Sequence, residues 1–151
     1  MDLKVSQHIL PIRVYFEDTD IGGIVHHSNY LKFFERGRIE SWRSKGVELS
    51  SLYESSGLHF VIHSIEISYL KPAYLDQLLY VRTKLAEVSS ASLVYHQSVY
   101  LRSSSVDEKE NELENDDLIG PPLCKAILKL VCVDKTLKPR RLPDFFREGE
   151  H

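Results

Sequence analysis

Between residues 18 and 30 the chain changes its repeat. Before this segment, Ile12, Val14 and Phe16 alternate with Arg13, Tyr15 and Glu17, the two-residue period of a strand. After it, residues 29–45 carry a helical period. At about 100° per residue, Tyr30, Phe33, Phe34, Gly37 and Ser41 cluster on one face, and Lys32, Arg36, Glu40 and Arg43 on the opposite one. Ser28 or Asn29 suits the start of that helix and Gly46 its end. A long helix with one apolar face must be covered. Its small Gly37 and Ser41 let a flat neighbour come close to the backbone.

The cover is present in the remaining sequence. Strand-like runs occupy residues 60–70, 78–88, 92–102 and 124–133, with Lys71-Pro72 and Ser89-Ser90 as turns. One long helix followed by consecutive strands predicts an α+β fold. Its antiparallel sheet of about five strands curls around the helix. Such a sheet keeps open edges, so a second copy of the chain is an expected partner.

Composition narrows the function classes. At 151 residues the chain is expected to be a single domain over 1–151. A net charge of −3 argues against bulk nucleic-acid binding. No apolar run approaches the roughly 18 residues of a membrane span, and Met1-Asp2-Leu3-Lys4-Val5 does not read as a secretory signal. Cys124 and Cys132 stand eight residues apart in one strand, too far to bridge, and fit buried thiols in a reducing cytoplasm. Residues 103–123 crowd Asp107, Glu108, Glu110, Glu112, Glu114, Asp116 and Asp117 against Lys109 alone. They read as a solvated acidic loop inserted between two strands. The other reading is a contact with a basic partner.

The corner itself, Asp18-Thr19-Asp20-Ile21-Gly22-Gly23-Ile24-Val25-His26-His27, concentrates ionisable groups and flexible backbone ahead of a helix N-terminus. Free N–H groups and a partial positive charge there suit an oxyanion, and carboxylates suit proton abstraction. Asp18 and Asp20 equally suit a turn pair. A metal site from Asp18, Asp20, His26 and His27 lacks good ligand spacing. Glu35 flanks the helix face and reads as a partner of Arg36 or Arg38, or as solvated.

These residues carry a resemblance. Val14 to Asp20, Gly22-Gly23-Ile24-Val25, His27, Tyr30-Leu31 and Phe34-Glu35-Arg36 resemble the opening motif of the hotdog-fold acyl-CoA thioesterases. They are most similar to the Tol–Pal-associated branch of the 4-hydroxybenzoyl-CoA thioesterase family. Leu58 to Ile62 resembles its second strand, Tyr69-Leu70-Lys71-Pro72-Ala73-Tyr74-Leu75-Asp76 its Pro-Ala turn, and Lys138 to Pro143 its C-terminal close. The resemblance implies a hotdog fold assembled as a homodimer or tetramer. It carries a catalytic role onto Asp20 and His27; Gly22, Gly23, Tyr30 and Glu35 are read as substrate contacts beside them, and Arg140 as one of five candidates for the coenzyme A phosphates, with Arg82, Arg102, Lys138 and Arg141. Asp20 would act as general base or nucleophile, and the His27 N–H would polarise the thioester carbonyl. Acyl-CoA, or the equivalent acyl-carrier-protein thioester, is the implied substrate, with no cofactor and no metal.

Three features depart from the family pattern. His26 stands where Tyr is common, the acidic stretch is inserted, and Val88-Ser89-Ser90 lacks the basic cluster that some relatives place there. The rival expectations are a hotdog acyl hydratase or dehydratase, and a non-catalytic acyl- or protein-binding module.

Overall fold

A computed structural model of the protein describes residues 7–102 and 120–147. The acidic run falls outside them, apart from its Gly120–Leu123 end. Five antiparallel strands form one sheet: β1 (Gln7–Arg13), β2 (His59–Tyr69), β3 (Leu78–Val88), β4 (Ser92–Leu101) and β5 (Cys124–Val133), in the spatial order β1-β3-β4-β5-β2. Helix α1 (Asn29–Arg43) lies across the inner face of this sheet. The short α2 (Leu49–Ser56) and α3 (Asp144–Arg147) were not legible in the repeat pattern. The α+β hotdog arrangement expected from the sequence is the one observed.

The inner face follows from period two. Leu79, Val81, Thr83, Val99, Gln97, Tyr95, Cys124, Ala126, Leu128 and Leu130 occupy matched positions of β3, β4 and β5, and all are buried. Against them α1 buries Tyr30, Phe33, Phe34, Gly37, Ser41 and Trp42, while Lys32, Arg36 and Arg43 stay exposed. Both cysteines are free and buried. Burial pushes the Cys124 thiol up to about 12, leaving it an inert packing group.

Gly37 sets the closeness of the two layers. A Cβ there would stand 2.7 Å from Thr83 Oγ1 and 2.9 Å from Val81 Cγ1, nearer than side chains tolerate. Around it runs a buried polar network. Arg38 Nη1 donates to Gln97 Oε1 at 2.9 Å, and Gln97 Nε2 donates at 2.8 Å to both the Phe34 carbonyl and Thr83 Oγ1. Arg38, one of the two partners the sequence offers Glu35, is buried and bonds Gln97.

The first strand ends sooner than its alternation predicts. β1 ends at Arg13, and Phe16–Asp18 form one turn of 3-10 helix. The Asp18 carboxylate accepts the Tyr15 N–H at 2.8 Å, which folds the chain back. Phe16, expected on the strand's core face, is 82% exposed.

Gly37→Ala should therefore lower folding stability by about 1–3 kcal/mol through overpacking. Urea denaturation reads the change. An unchanged midpoint would mean that α1 can step back from the sheet at no cost.

Candidate active site

The corner is a small hairpin laid on the entrance of α1. Thr19 and Val25 pair antiparallel. The Asp20 N–H donates to the Ile24 carbonyl at 2.9 Å, and the Gly23 N–H to the Asp20 carbonyl at 3.0 Å. Gly23 turns the chain at φ +75°, where a side chain would be strained. The Asp20 carboxylate sits over its own turn: Oδ1 accepts the Gly22 N–H at 2.9 Å and the Ile24 N–H at 3.4 Å. Asp20 is exposed, and its Oδ2 takes no hydrogen bond among the described residues.

Asp18 does different work. It is 4% exposed; Oδ2 takes the Tyr15 N–H and Oδ1 takes Asn29 Nδ2 at 2.8 Å. Its carbonyl accepts the His26 N–H at 2.9 Å. Two adjacent acids thus divide into a buried tie and an exposed carboxylate.

The Pro-Ala turn packs on the other side of the corner. The Val25 N–H donates to the Ala73 carbonyl at 2.9 Å, the Leu75 N–H donates to the Gly23 carbonyl at 3.1 Å, and Ile24 bridges Tyr74. Two of the segments that carried the resemblance, far apart in sequence, are therefore neighbours.

At the helix entrance nearly every backbone group is engaged. The Asn29 N–H donates to the His26 carbonyl at 2.8 Å, and the Ser28 N–H donates to His26 Nδ1 at 3.2 Å. Ser28 Oγ lies 2.7 Å from the same nitrogen. The His27 carbonyl accepts the Tyr69 hydroxyl at 2.8 Å. The His27 N–H has no acceptor among the described residues. The His27 imidazole is exposed, stacked on His26 at 4.3 Å between ring centroids, with the Tyr69 ring edge-on at 6.4 Å. Tyr30 is buried behind it, edge-on to Tyr69 at 5.6 Å, and burial above all raises its hydroxyl to about 12.

Asp20, Gly22, Gly23, His27 and Tyr30 thus come together at one corner. Glu35 lies on the exposed side of α1, where its field opposes the lowering of the Arg38 guanidinium by burial. Arg140 lies elsewhere. Its Nε donates to Asp134 Oδ2 at 2.7 Å in the loop after β5, and its N–H donates to the Cys132 carbonyl. The Thr136 hydroxyl first, then Arg140, draw the Asp134 carboxyl well below its ordinary value. Val133 pairs with His59, the end of β2 opposite Tyr69, so about 30 Å of strand separates Arg140 from the corner in one chain. Among the described residues no group of three or more His, Cys, Asp or Glu is placed to hold a metal. No described helix is long and apolar enough to cross a membrane. Tyr69 was missed as a site residue; its place closing the alternation Ile65, Ile67, Tyr69 was the available signal.

A curled antiparallel sheet on one central helix is the hotdog arrangement. The chain belongs to the thioesterase superfamily, whose pattern it matches over residues 22–106. It is similar to the acyl-CoA thioesterase YbgC of Haemophilus influenzae, at 37% identity over 93% of this chain and 92% of that protein. It is also similar to the acyl-CoA thioester hydrolase YbgC of Escherichia coli O157:H7, at 35% identity over 88% of this chain and 87% of the relative. Among solved structures, a probable thioesterase from Bartonella henselae superposes with a TM-score of 0.75 at 32% identity, covering 91% of this chain and 99% of that one. The protein is accordingly an enzyme, a thioesterase.

Asp18→Asn should destabilise the fold by roughly 1–3 kcal/mol, because one buried donor would then face an amide NH₂. A thermal melt at neutral pH checks this. An unshifted midpoint would dismiss the tie.

Proposed function

We propose that the protein hydrolyses acyl-CoA thioesters to a carboxylate and free coenzyme A, with the corner at Asp20 and His27 as its catalytic centre. The observation that carries this reading is the unpaired His27 N–H at the entrance of α1, on the same corner as an exposed carboxylate with one free oxygen. Attack on the thioester carbonyl places negative charge on its oxygen. A preorganised N–H at a helix start stabilises that charge, and one such donor is typically worth about 3 kcal/mol. Asp20 serves as general base on water or as the attacking nucleophile; its free Oδ2 suits either role. As the carbon–sulfur bond breaks, coenzyme A departs as a thiolate, a good leaving group, and takes a proton from solvent or His27. Gly22 and Gly23 leave the approach to the turn clear, and Tyr30 forms the floor behind His27. The names of the YbgC relatives support acyl-CoA as substrate. Acyl-carrier-protein thioesters present the same reacting group. The two free, buried thiols suit a cytoplasmic enzyme.

The working unit in this reading is a homodimer, which can pair further into a tetramer. β2 is a sheet edge, and its helix-facing Ile62 and Ile65 remain 45% and 37% exposed. Pairing β2 with its copy about a two-fold axis runs the strands antiparallel. The His59 end of one then lies beside the Tyr69 end of the other. That arrangement brings Arg140 of the partner subunit toward the corner, where a guanidinium suits a coenzyme A phosphate.

Asp20→Asn should lower kcat by at least about 10²-fold with an unchanged melting temperature. Steady-state thiol release from a panel of acyl-CoA substrates measures it. If Asp18→Asn proves the more damaging to kcat, the assignment of Asp20 is wrong. Arg140→Ala should raise KM about tenfold for an acyl-CoA and leave it unchanged for the same acyl group on N-acetylcysteamine, which lacks the phosphates. Equal effects on both substrates would remove Arg140 from the phosphate site.

A further inference from the structure

We propose that Tyr69 is a positioning residue that holds the His27 peptide, and with it both the oxyanion donor and the imidazole, in the reactive geometry. The proposal rests on the thioesterase reading above and adds the group that makes the corner rigid.

Two peptide planes meet at the His27 Cα, and each is pinned from outside. The plane between His26 and His27 carries the unpaired His27 N–H, and its carbonyl accepts the Asn29 N–H at 2.8 Å. The plane between His27 and Ser28 is held at both ends. Its carbonyl accepts the Tyr69 hydroxyl at 2.8 Å and its N–H donates to His26 Nδ1 at 3.2 Å. Fixing both planes fixes φ and ψ of His27, and therefore the directions of its N–H and its Cβ. The Asn29 bond comes from the first turn of α1 itself, so it moves with the helix. Tyr69 is the outside anchor, because it sits at the end of β2, on the sheet.

The ring adds a second restraint. It stands edge-on to the His27 imidazole at 6.4 Å and to the buried Tyr30 at 5.6 Å, so it limits the swing of one while resting on the other. Partial burial, with Cys124 nearby, raises the Tyr69 hydroxyl above its ordinary value, so it remains a donor throughout the neutral range. Misplacing a reacting group by a fraction of an ångström is costly in rate and need not affect binding. A loosened His27 peptide should therefore appear in kcat.

Tyr69→Phe keeps the ring and both edge contacts and removes only the hydroxyl. It should lower kcat about tenfold, hold KM within about twofold, and leave the pH dependence of kcat/KM in place. In nuclear magnetic resonance, the amide of Ser28 should exchange with solvent about tenfold faster than in the wild type, while amides of β3 and β4 stay as they were. A kcat within twofold of the wild type overturns the proposal, since the peptide would then hold without the clamp. A displaced pH profile also overturns it, since Tyr69 would then be moving protons itself. If the wild type releases no thiol from any acyl-CoA, the functional reading fails, and exchange at Ser28 alone still decides whether the clamp exists.

Discussion

The Asp18 carboxylate is the contact on which the corner depends. Burying a charge is expensive unless donors replace its water, and Asp18 has two, the Tyr15 N–H and the Asn29 amide. One donor belongs to the exit of β1 and the other to the first residue of α1. The carboxylate therefore sets where the helix starts relative to the sheet edge. With residues 15–29 closed on themselves, the intervening hairpin engages only Oδ1 of Asp20, whose carboxylate stays at the surface with its other oxygen unengaged. Acids of the same type, two residues apart, acquire opposite tasks because only one faces buried donors.

That corner would be of little use on a loosely held helix. α1 is fixed to the sheet along its length by contacts of different kinds. Near its start, Tyr30 rests against Phe33 and Tyr69. At its middle, Gly37 allows the backbone onto Thr83 and Val81, and Gln97 reaches the Phe34 carbonyl, a bond possible only at that closeness. Near its end, Trp42 Nε1 donates to the Tyr95 hydroxyl at 2.7 Å and packs with Phe60 and Phe146. The polar groups of Arg38, Gln97, Thr83, Trp42 and Tyr95 are tolerated in the core because they bond one another or the Phe34 carbonyl. Directional bonds also define the helix's height and rotation better than apolar contact alone, which tolerates sliding.

The parts legible in the sequence were those governed by a period or a motif. The helical face from Tyr30 to Ser41 and the four later strands follow apolar spacing, and the structure places them within a residue or two of their expected limits. The errors occurred where spacing says nothing about tertiary partners. Phe16 continued an alternation that the chain abandons once Asp18 captures the Tyr15 N–H. The burial of Arg38 had no local signal, because its partner, Gln97, is 59 residues away. α2 escaped notice because it is two turns long, its one apolar stripe is Leu49, Leu52 and Tyr53, and none of these is fully buried. Tyr69 is the instructive case. Its alternation identified it as a core-facing strand residue, but its hydroxyl acts 42 residues away on a backbone carbonyl, which no local pattern encodes.

β2 connects these observations to assembly. Its Tyr69 end holds the His27 peptide, and its His59 end pairs with Val133, next to the loop that carries Arg140. Within one chain these ends are the most separated points of a single strand. Under the proposed two-fold pairing the same length becomes an advantage, since antiparallel self-pairing makes each end a neighbour of the other's opposite. Under that proposal, one symmetric contact along β2 would cover the exposed Ile62 and Ile65 and carry Arg140 toward the partner's corner.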